Sequence, residues 1–475
     1  MTHSELGDPG SRAGTRVGRS IAAVRGIATW AEASVHRRIL AASVRVGSAN
    51  LIARGAFALR ELTIAFVLGT SPRLGAFLLA ALIPTYLAQV IGSALPMAFI
   101  PAFIHVRQSA GAEAAKQLLG DATIVIAGLL GVLTVLVLAF FPFYLDLVAP
   151  RFAAADRQLA TDLVWVLAPF AILRGLSALW GATLNADRVF VLPALTPALT
   201  PLVGTVALLL FRRSGVEALA WAMVIGMAGE AIGTAGILRA KGTRIRLMWS
   251  GYAAPLRQFV RQFMPMIAGN AILAMTVVVD QSMAARLSPA SVSILYYANL
   301  LVLFPVTVAG AALGTATLPY ASEMVAAKRW DDLRRMIAVF MRYVALATIP
   351  FAVAFVAFAP TVVWLIFYRG AFTLSDASEV TAVVRYLAPM IPFYLGATAV
   401  IQVSSALRRT EILLWAAVAG FVLKLALNFA LISVMGLPGI GLSTTLSYAA
   451  TMTVTLILCR RALQARAHQQ ESLSA

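Results

Sequence analysis

Apolar runs about one membrane thickness long, separated by short polar stretches, set the pattern of this chain. A helix needs about 20 predominantly apolar residues to cross a hydrocarbon core of about 30 Å. Twelve stretches meet that length, at roughly 39–68, 75–104, 121–148, 161–184, 189–211, 215–238, 262–285, 290–318, 337–367, 379–405, 411–434 and 438–459. Some end in aromatic clusters that suit the boundary between lipid and water, such as Phe140, Phe141, Phe143 and Tyr144, or Trp364, Phe367 and Tyr368. The pattern predicts an all-α polytopic membrane protein of about 12 transmembrane helices.

The placement of Lys and Arg orients these spans. With the N-terminus in the cytoplasm, the inner segments hold 24 of the 38 basic residues, the outer loops 7 and the spans themselves 7. Cytoplasmic loops carry such an excess, so both termini are expected inside. The expected parts are a basic cytoplasmic tail (1–38), a first lobe (39–240), an amphipathic cytoplasmic linker (241–261), a second lobe (262–460) and a cytoplasmic C-terminal tail (461–475). The tail lacks the apolar core of a secretory signal. Its Ile21, Val24, Ile27 and Ala31 recur at helical spacing among arginines. That fits either a helix lying on anionic membrane lipids or a plain basic tail.

Composition narrows the function. Of the 475 residues 60% are apolar and 12% charged, and the mean hydropathy is +0.86. A soluble domain carries about 25% charge. A water-soluble enzyme, a disordered chain and a disulfide scaffold are thereby excluded. The net charge of +18 follows mostly from orientation and needs no nucleic acid. Cys459 is the single cysteine, and His3, His36, His105 and His468 all lie outside the spans. No metal cage or catalytic triad is expected, nor any cofactor, and the chain has no phosphate-binding G-x-x-x-x-G-K-[ST] loop. Function must come from shape and charge within the membrane.

The two halves resemble each other at a nearly constant offset. Leu167-Ala168-Pro169 matches Leu387-Ala388-Pro389, Gly92 and Pro101 match Gly310 and Pro319, Ala182-Thr183-Leu184-Asn185 matches Ser405-Ala406-Leu407-Arg408, and Gly215 matches Gly436. Six spans per half give both halves the same orientation, a parallel repeat about an axis along the membrane normal. Two such lobes can rock around a central site.

An ionisable group inside a span is costly and marks a functional candidate. The basic set is Arg45, Arg54, Arg60, Arg174, Arg342, Arg385 and Lys424, and the deep acids are Glu61, Glu230 and Asp280. Arg54 and Arg60 lie about 9 Å apart along a helix axis at 1.5 Å per residue. Guanidiniums bind phosphate oxygens bidentately, so this pair suits a pyrophosphate; alternatively Arg60 pairs with Asp280 to lock the lobes. Asp280 could also bind a coupling cation. Lys424 and Asn428, one turn apart, read as structural or as facing the cavity. Glu230 reads as a proton site or as a group held by a serine. Arg45 and Arg342 sit near span ends, where long side chains reach the interface.

Several stretches resemble the MurJ/MviN family of lipid II flippases within the MOP flippase superfamily. They are ARGAFALRELTIAFVLG (53–69), AFLLAALIP (76–84), AFIPAF (98–103), ARLSPASVSILYYANLLVLFP (285–305), GTATLPYASEMVAA (314–327), YRGAFTLSDA (368–377), SALRRTEILLWA (405–416) and GLPGIGLSTTLS (436–447). The resemblance implies two V-shaped lobes around a cavity in the bacterial cytoplasmic membrane. It implies export of an undecaprenyl-pyrophosphate-type lipid-linked saccharide, with Arg54 and Arg60 at the family's cavity arginines. The substrate-binding set so expected is Arg54, Arg60, Glu61, Asp280, Arg174, Lys424 and Asn299. The chain departs from the family at Gly75, Ala88, Gln89 and Leu300, where charged residues are usual. Fewer cavity cations would also fit an exopolysaccharide or O-antigen-type lipid-linked oligosaccharide. A cation-coupled MATE-type drug antiporter would want a net acidic cavity, and a non-transporting scaffold would need no arginines facing a gap. The expected activity is alternating-access transport, with no enzymatic step.

Overall fold

The computed structural model describes residues 45–245, 247, 249–251, 253–407 and 409–474. The tail expected at 1–38 lies outside them. All regular structure among these residues is helical. The first half comprises α1 (45–68), α2 (Pro72–Val148), α3 (Ala154–Ala186), α4 (Val191–Leu195) with a 3-10 turn at Thr196–Ala198, α5 (Leu199–Leu210) and α6 (Gly215–Ala240). The second half comprises α7 (Ala254–Leu287), α8 (Pro289–Ala326), α9 (Trp330–Ala357), α10 (Ala359–Phe367), α11 (Leu374–Leu387), α12 (Met390–Ala406), α13 (Thr410–Met435) and α14 (Leu437–Ser474).

The fold class expected from the sequence is the one observed. Among the described residues nine helices are long and apolar enough to cross a membrane, or ten if the bent pair α11–α12 is one span. At 1.5 Å per residue α2 would be about 115 Å long, far beyond one crossing. It turns at Gly111, whose φ of 89° lies where only glycine sits without strain. The figure of twelve is reached only when α1 and each arm of α2 are counted as spans of their own.

Within the first half α2, α3 and α6 pack together and α5 lies on α6. In the second half α8, α9, α11, α12, α13 and α14 form a second bundle, and α7 touches both α2 and α13. Lipid tails are as apolar as the helix surfaces, so close van der Waals contact holds such bundles. One apolar cluster joins both halves at one end of the molecule, with Ile64, Phe77, Phe141, Val292, Tyr297 and Phe372 buried in it. That end carries the loops 69–71, 149–153 and 368–373, which the charge bias assigns to the outside. It is called the outer end below. A second cluster at the inner end gathers Phe99 and Phe103 of α2 with Phe259 and Phe263 of α7. The connector before α7 is pinned there, because the Ser250 backbone N–H donates to Asp121 at 3.0 Å.

Candidate functional site: α1 and the join between the halves

α1 starts apart from its neighbours and ends enclosed by them. Leu51, Ile52, Arg54 and Phe57 are exposed, and a Cβ added at Gly47 or Gly55 would meet nothing within 4 Å. From Glu61 onward the helix is packed: Glu61, Thr63, Ile64 and Ala65 are buried. Arg54, about 22 Å below Gly69 along the axis, therefore lies in the open half, and Glu61 opens the sealed half.

Arg54 and Arg60 do not share a face. At 3.6 residues per turn Glu61 stacks almost directly over Arg54, while Arg60 points about 100° away from Glu61. The Glu61 carboxylate brings the Arg60 guanidinium back: Nε donates to Oε1 at 3.0 Å, and Nη2 contacts the same oxygen. The Arg60 stem lies against Gly204 of α5, and its guanidinium also sits 4.8 Å over the Phe57 ring. The other carboxylate oxygen of Glu61 accepts from the Tyr296 hydroxyl of α8 at 2.5 Å. One in-membrane carboxylate thus ties an arginine of its own half to a tyrosine of the other.

Above this tie the outer end is closed by a row of contacts between the halves. The Ala371 N–H donates to the Phe66 carbonyl at 2.8 Å, and the Tyr297 hydroxyl donates to the Gly69 carbonyl at 3.0 Å. The Thr70 hydroxyl bonds to Asp376, and the Tyr144 and Ser282 hydroxyls meet at 2.9 Å. At Gly75 α2 meets the start of α8 so tightly that an added Cβ would lie 2.0 Å from the Pro289 carbonyl oxygen.

The remaining candidates fall into separate groups. Asp280 does not pair with Arg60; it is buried against α13, accepting from Lys424 Nζ at 2.8 Å and Asn428 Nδ2 at 2.9 Å. Lys424 also donates to Thr444 Oγ1 at 2.6 Å, and Ser443 bonds to Asn428. This pair locks the second half internally, and Asp280 already has its cation in Lys424. Arg174 of α3 reaches Glu230 of α6 at 2.7 Å, with Ser177 donating to the same oxygen at 3.1 Å. Ser177 is thus a serine that holds Glu230, as one of its two readings expected. Asn299 is half-buried in α8. Arg45, Arg342 and Arg385 are exposed, Ala88 is buried and Gln89 is exposed. Among the described residues no group of His, Cys, Asp and Glu could hold a metal ion.

Each deep acid thus has its own base: Glu61 with Arg60, Glu230 with Arg174, and Asp280 with Lys424. Arg54, exposed on α1, has no ion-pair or hydrogen-bond partner among the described residues. The site carries a surplus of positive charge on a helix at the join of two bundles.

Known proteins share this architecture. The sequence pattern of the family described as lipid II flippase MurJ matches residues 64–473. The chain belongs to that family. A probable lipid II flippase MurJ of Synechocystis sp. is 26% identical over 379 residues, which are 76% of this chain and 70% of that protein. The lipid II flippase MurJ of Burkholderia cenocepacia is 27% identical over 73% of this chain and 69% of its own length. Among solved structures, a lipid II flippase MurJ in an inward closed conformation superposes with a TM-score of 0.75 at 19% identity, covering 90% of each chain. An inward-facing MATE family multidrug transporter of the MOP superfamily gives 0.75 at 14% identity over 88% of this chain and 99% of that one. At these identities the structural likeness speaks for the fold.

A side chain at Gly75 would collide with the Pro289 carbonyl, so glycine there is the condition for the close approach of the two halves at the outer end. Tyr296 was not visible as a site residue from spacing. Its signal was indirect: a buried Glu61 needs a second donor, and the YY pair at 296–297 supplies one.

Proposed function

We propose that the chain flips a polyprenyl-pyrophosphate-linked saccharide, the lipid II of peptidoglycan synthesis, from the inner to the outer leaflet of the bacterial cytoplasmic membrane. The observation that carries this reading is Arg54 in the open half of α1, without an ion-pair partner among the described residues, set against deep acids that are all neutralised. An anionic diphosphate headgroup fits that surplus, whereas the cationic drug of an antiporter would meet repulsion. The relatives named above as lipid II flippases support the choice of cargo.

In this reading the halves 39–240 and 262–460 act as lobes, with the inner side open to the headgroup. Arg54 receives the diphosphate. Arg60 then exchanges part of its pairing with Glu61 for a phosphate oxygen, which weakens the hold of Glu61 on Tyr296. Loosening that tie frees the outer contacts, and the lobes rock. Arg174 and Asn299 edge the path of the saccharide, while Asp280 and Lys424 keep the second lobe rigid. The prenyl tail stays in the bilayer, and no covalent step is involved. Moving one negative charge outward across an inside-negative membrane gains about 2.3 kcal/mol per 100 mV. That gain supplies direction without nucleotide hydrolysis.

The test is a headgroup-accessibility assay in proteoliposomes containing lipid II. Arg54→Ala and Arg60→Ala should each reduce flipping at least tenfold with protein insertion unchanged. Wild-type rates in both variants would refute the assignment. Movement of an unrelated polyprenyl-linked glycan in place of lipid II would keep the site and change the cargo.

A further inference from the structure

A second lipid-facing feature lies on the side of α5 away from Arg60. Leu202, Val206 and Leu210 recur every four residues on α5 and, with Trp221 and Ile225 of α6, wall an apolar groove of about 590 Å³. These five side chains are exposed. The stripe from 202 to 210 is about 12 Å long at 1.5 Å per residue. That is close to one leaflet of a hydrocarbon core about 30 Å thick. Polar lining occurs only at the outer mouth, in Ser214 and Glu217.

The mouth is unusual in charge. Of the seven basic residues in outer loops, Arg73 pairs with Glu217 of the lining, and Arg212 and Arg213 stand in the chain between the lining residues Phe211 and Ser214. Arg73 pairs with one oxygen of Glu217 at 2.5 Å, and Arg212 stacks 5.5 Å from the Phe66 ring. Arg213 is exposed and has no ion-pair partner among the described residues. The second carboxylate oxygen of Glu217 is buried and has no hydrogen-bond partner among the described residues. Three arginines against one partly exposed glutamate leave two positive charges at the mouth of an apolar slot.

We propose that this groove holds an anionic, hydroxyl-bearing phospholipid of the phosphatidylglycerol type from the outer leaflet. One acyl chain lies along α5 and α6, the phosphate meets Arg212 and Arg213, and a headgroup hydroxyl donates to Glu217. The net positive charge of the rim selects an anionic lipid over a zwitterionic one. The site is on the opposite face of α5 from the flipping site and stands independently of the proposed cargo.

The test is native mass spectrometry of the full chain exchanged from nanodiscs of phosphatidylglycerol, phosphatidylethanolamine or phosphatidylcholine. The wild type should retain phosphatidylglycerol at least tenfold over either zwitterionic lipid. Arg212→Gln with Arg213→Gln should remove that preference, and Val206→Trp, which fills the slot, should lower retention at least fivefold. Arg151→Gln, an outer-loop change elsewhere, should leave it in place. Equal retention of all three lipids by the wild type, a preference for phosphatidylethanolamine, or an undiminished preference in the double variant would overturn the proposal. The wild-type comparison decides even if a variant fails to fold.

Discussion

Glu61 and Asp280 occupy corresponding places in the repeat, 219 residues apart, and do opposite work. Glu61 shares its two oxygens between Arg60 of its own half and Tyr296 of the other. Asp280 spends its oxygens on Lys424 and Asn428, both within the second half. One carboxylate is thus a tie across the join of the two halves, and its counterpart a rivet inside one bundle. The difference arises from the partner helices. Gly204 of α5 leaves room for the Arg60 stem, whereas α13 brings its own ammonium to the acid.

The sharpest break of this comparison is Lys424→Ala. It strands a buried carboxylate and should cost about 3–5 kcal/mol, read as a large fall in the thermal unfolding temperature of the purified protein. The double change Asp280→Asn with Lys424→Met should recover most of that loss. A mild effect of the single change would mean that Asp280 finds another cation. Gly75→Asp comes next, because its side chain must displace the Pro289 carbonyl. Overpacking of this kind costs about 1–3 kcal/mol, so the outer end should open. Spin labels at positions 73 and 369 would show the wider separation, and an unchanged distance would contradict the role of Gly75. Tyr296→Phe is the smallest: one hydrogen bond to a charged group is removed, worth about 1–2 kcal/mol. The same labels should report about a 5- to 30-fold gain in the open population. No gain would show that Glu61 does not hold the halves together.

The spans and the in-membrane charges were legible because length, apolarity and the cost of a buried charge act locally along the chain. Breaks and pairings were not. Leu167-Ala168-Pro169 and Leu387-Ala388-Pro389 are the same tripeptide, yet α3 runs straight through the first. At the second, α11 and α12 meet at a bend of 43°. The Thr445 hydroxyl of α14 bonds to the Tyr386 and Leu387 carbonyls there, at 2.7 and 3.3 Å. That partner lies 58 residues away in the chain from Leu387. The pairing of Asp280 with Lys424 is of the same kind: both residues were candidates, but only the packing of α7 on α13 chooses between Arg60 and Lys424.

The most direct test of the account uses Asn50→Cys, which keeps Arg54 and places a thiol one turn below it on the exposed part of α1. Cys459 is the single native cysteine and is buried, so a membrane-impermeant thiol reagent applied to inside-out vesicles reports on position 50. The account predicts rapid labelling that added lipid II slows at least fivefold, with no such protection at a control cysteine placed at Ser109, exposed beside the Gly111 turn on the inner side. Labelling that lipid II leaves unchanged, or no labelling at all, would contradict an open, cationic receiving site on α1.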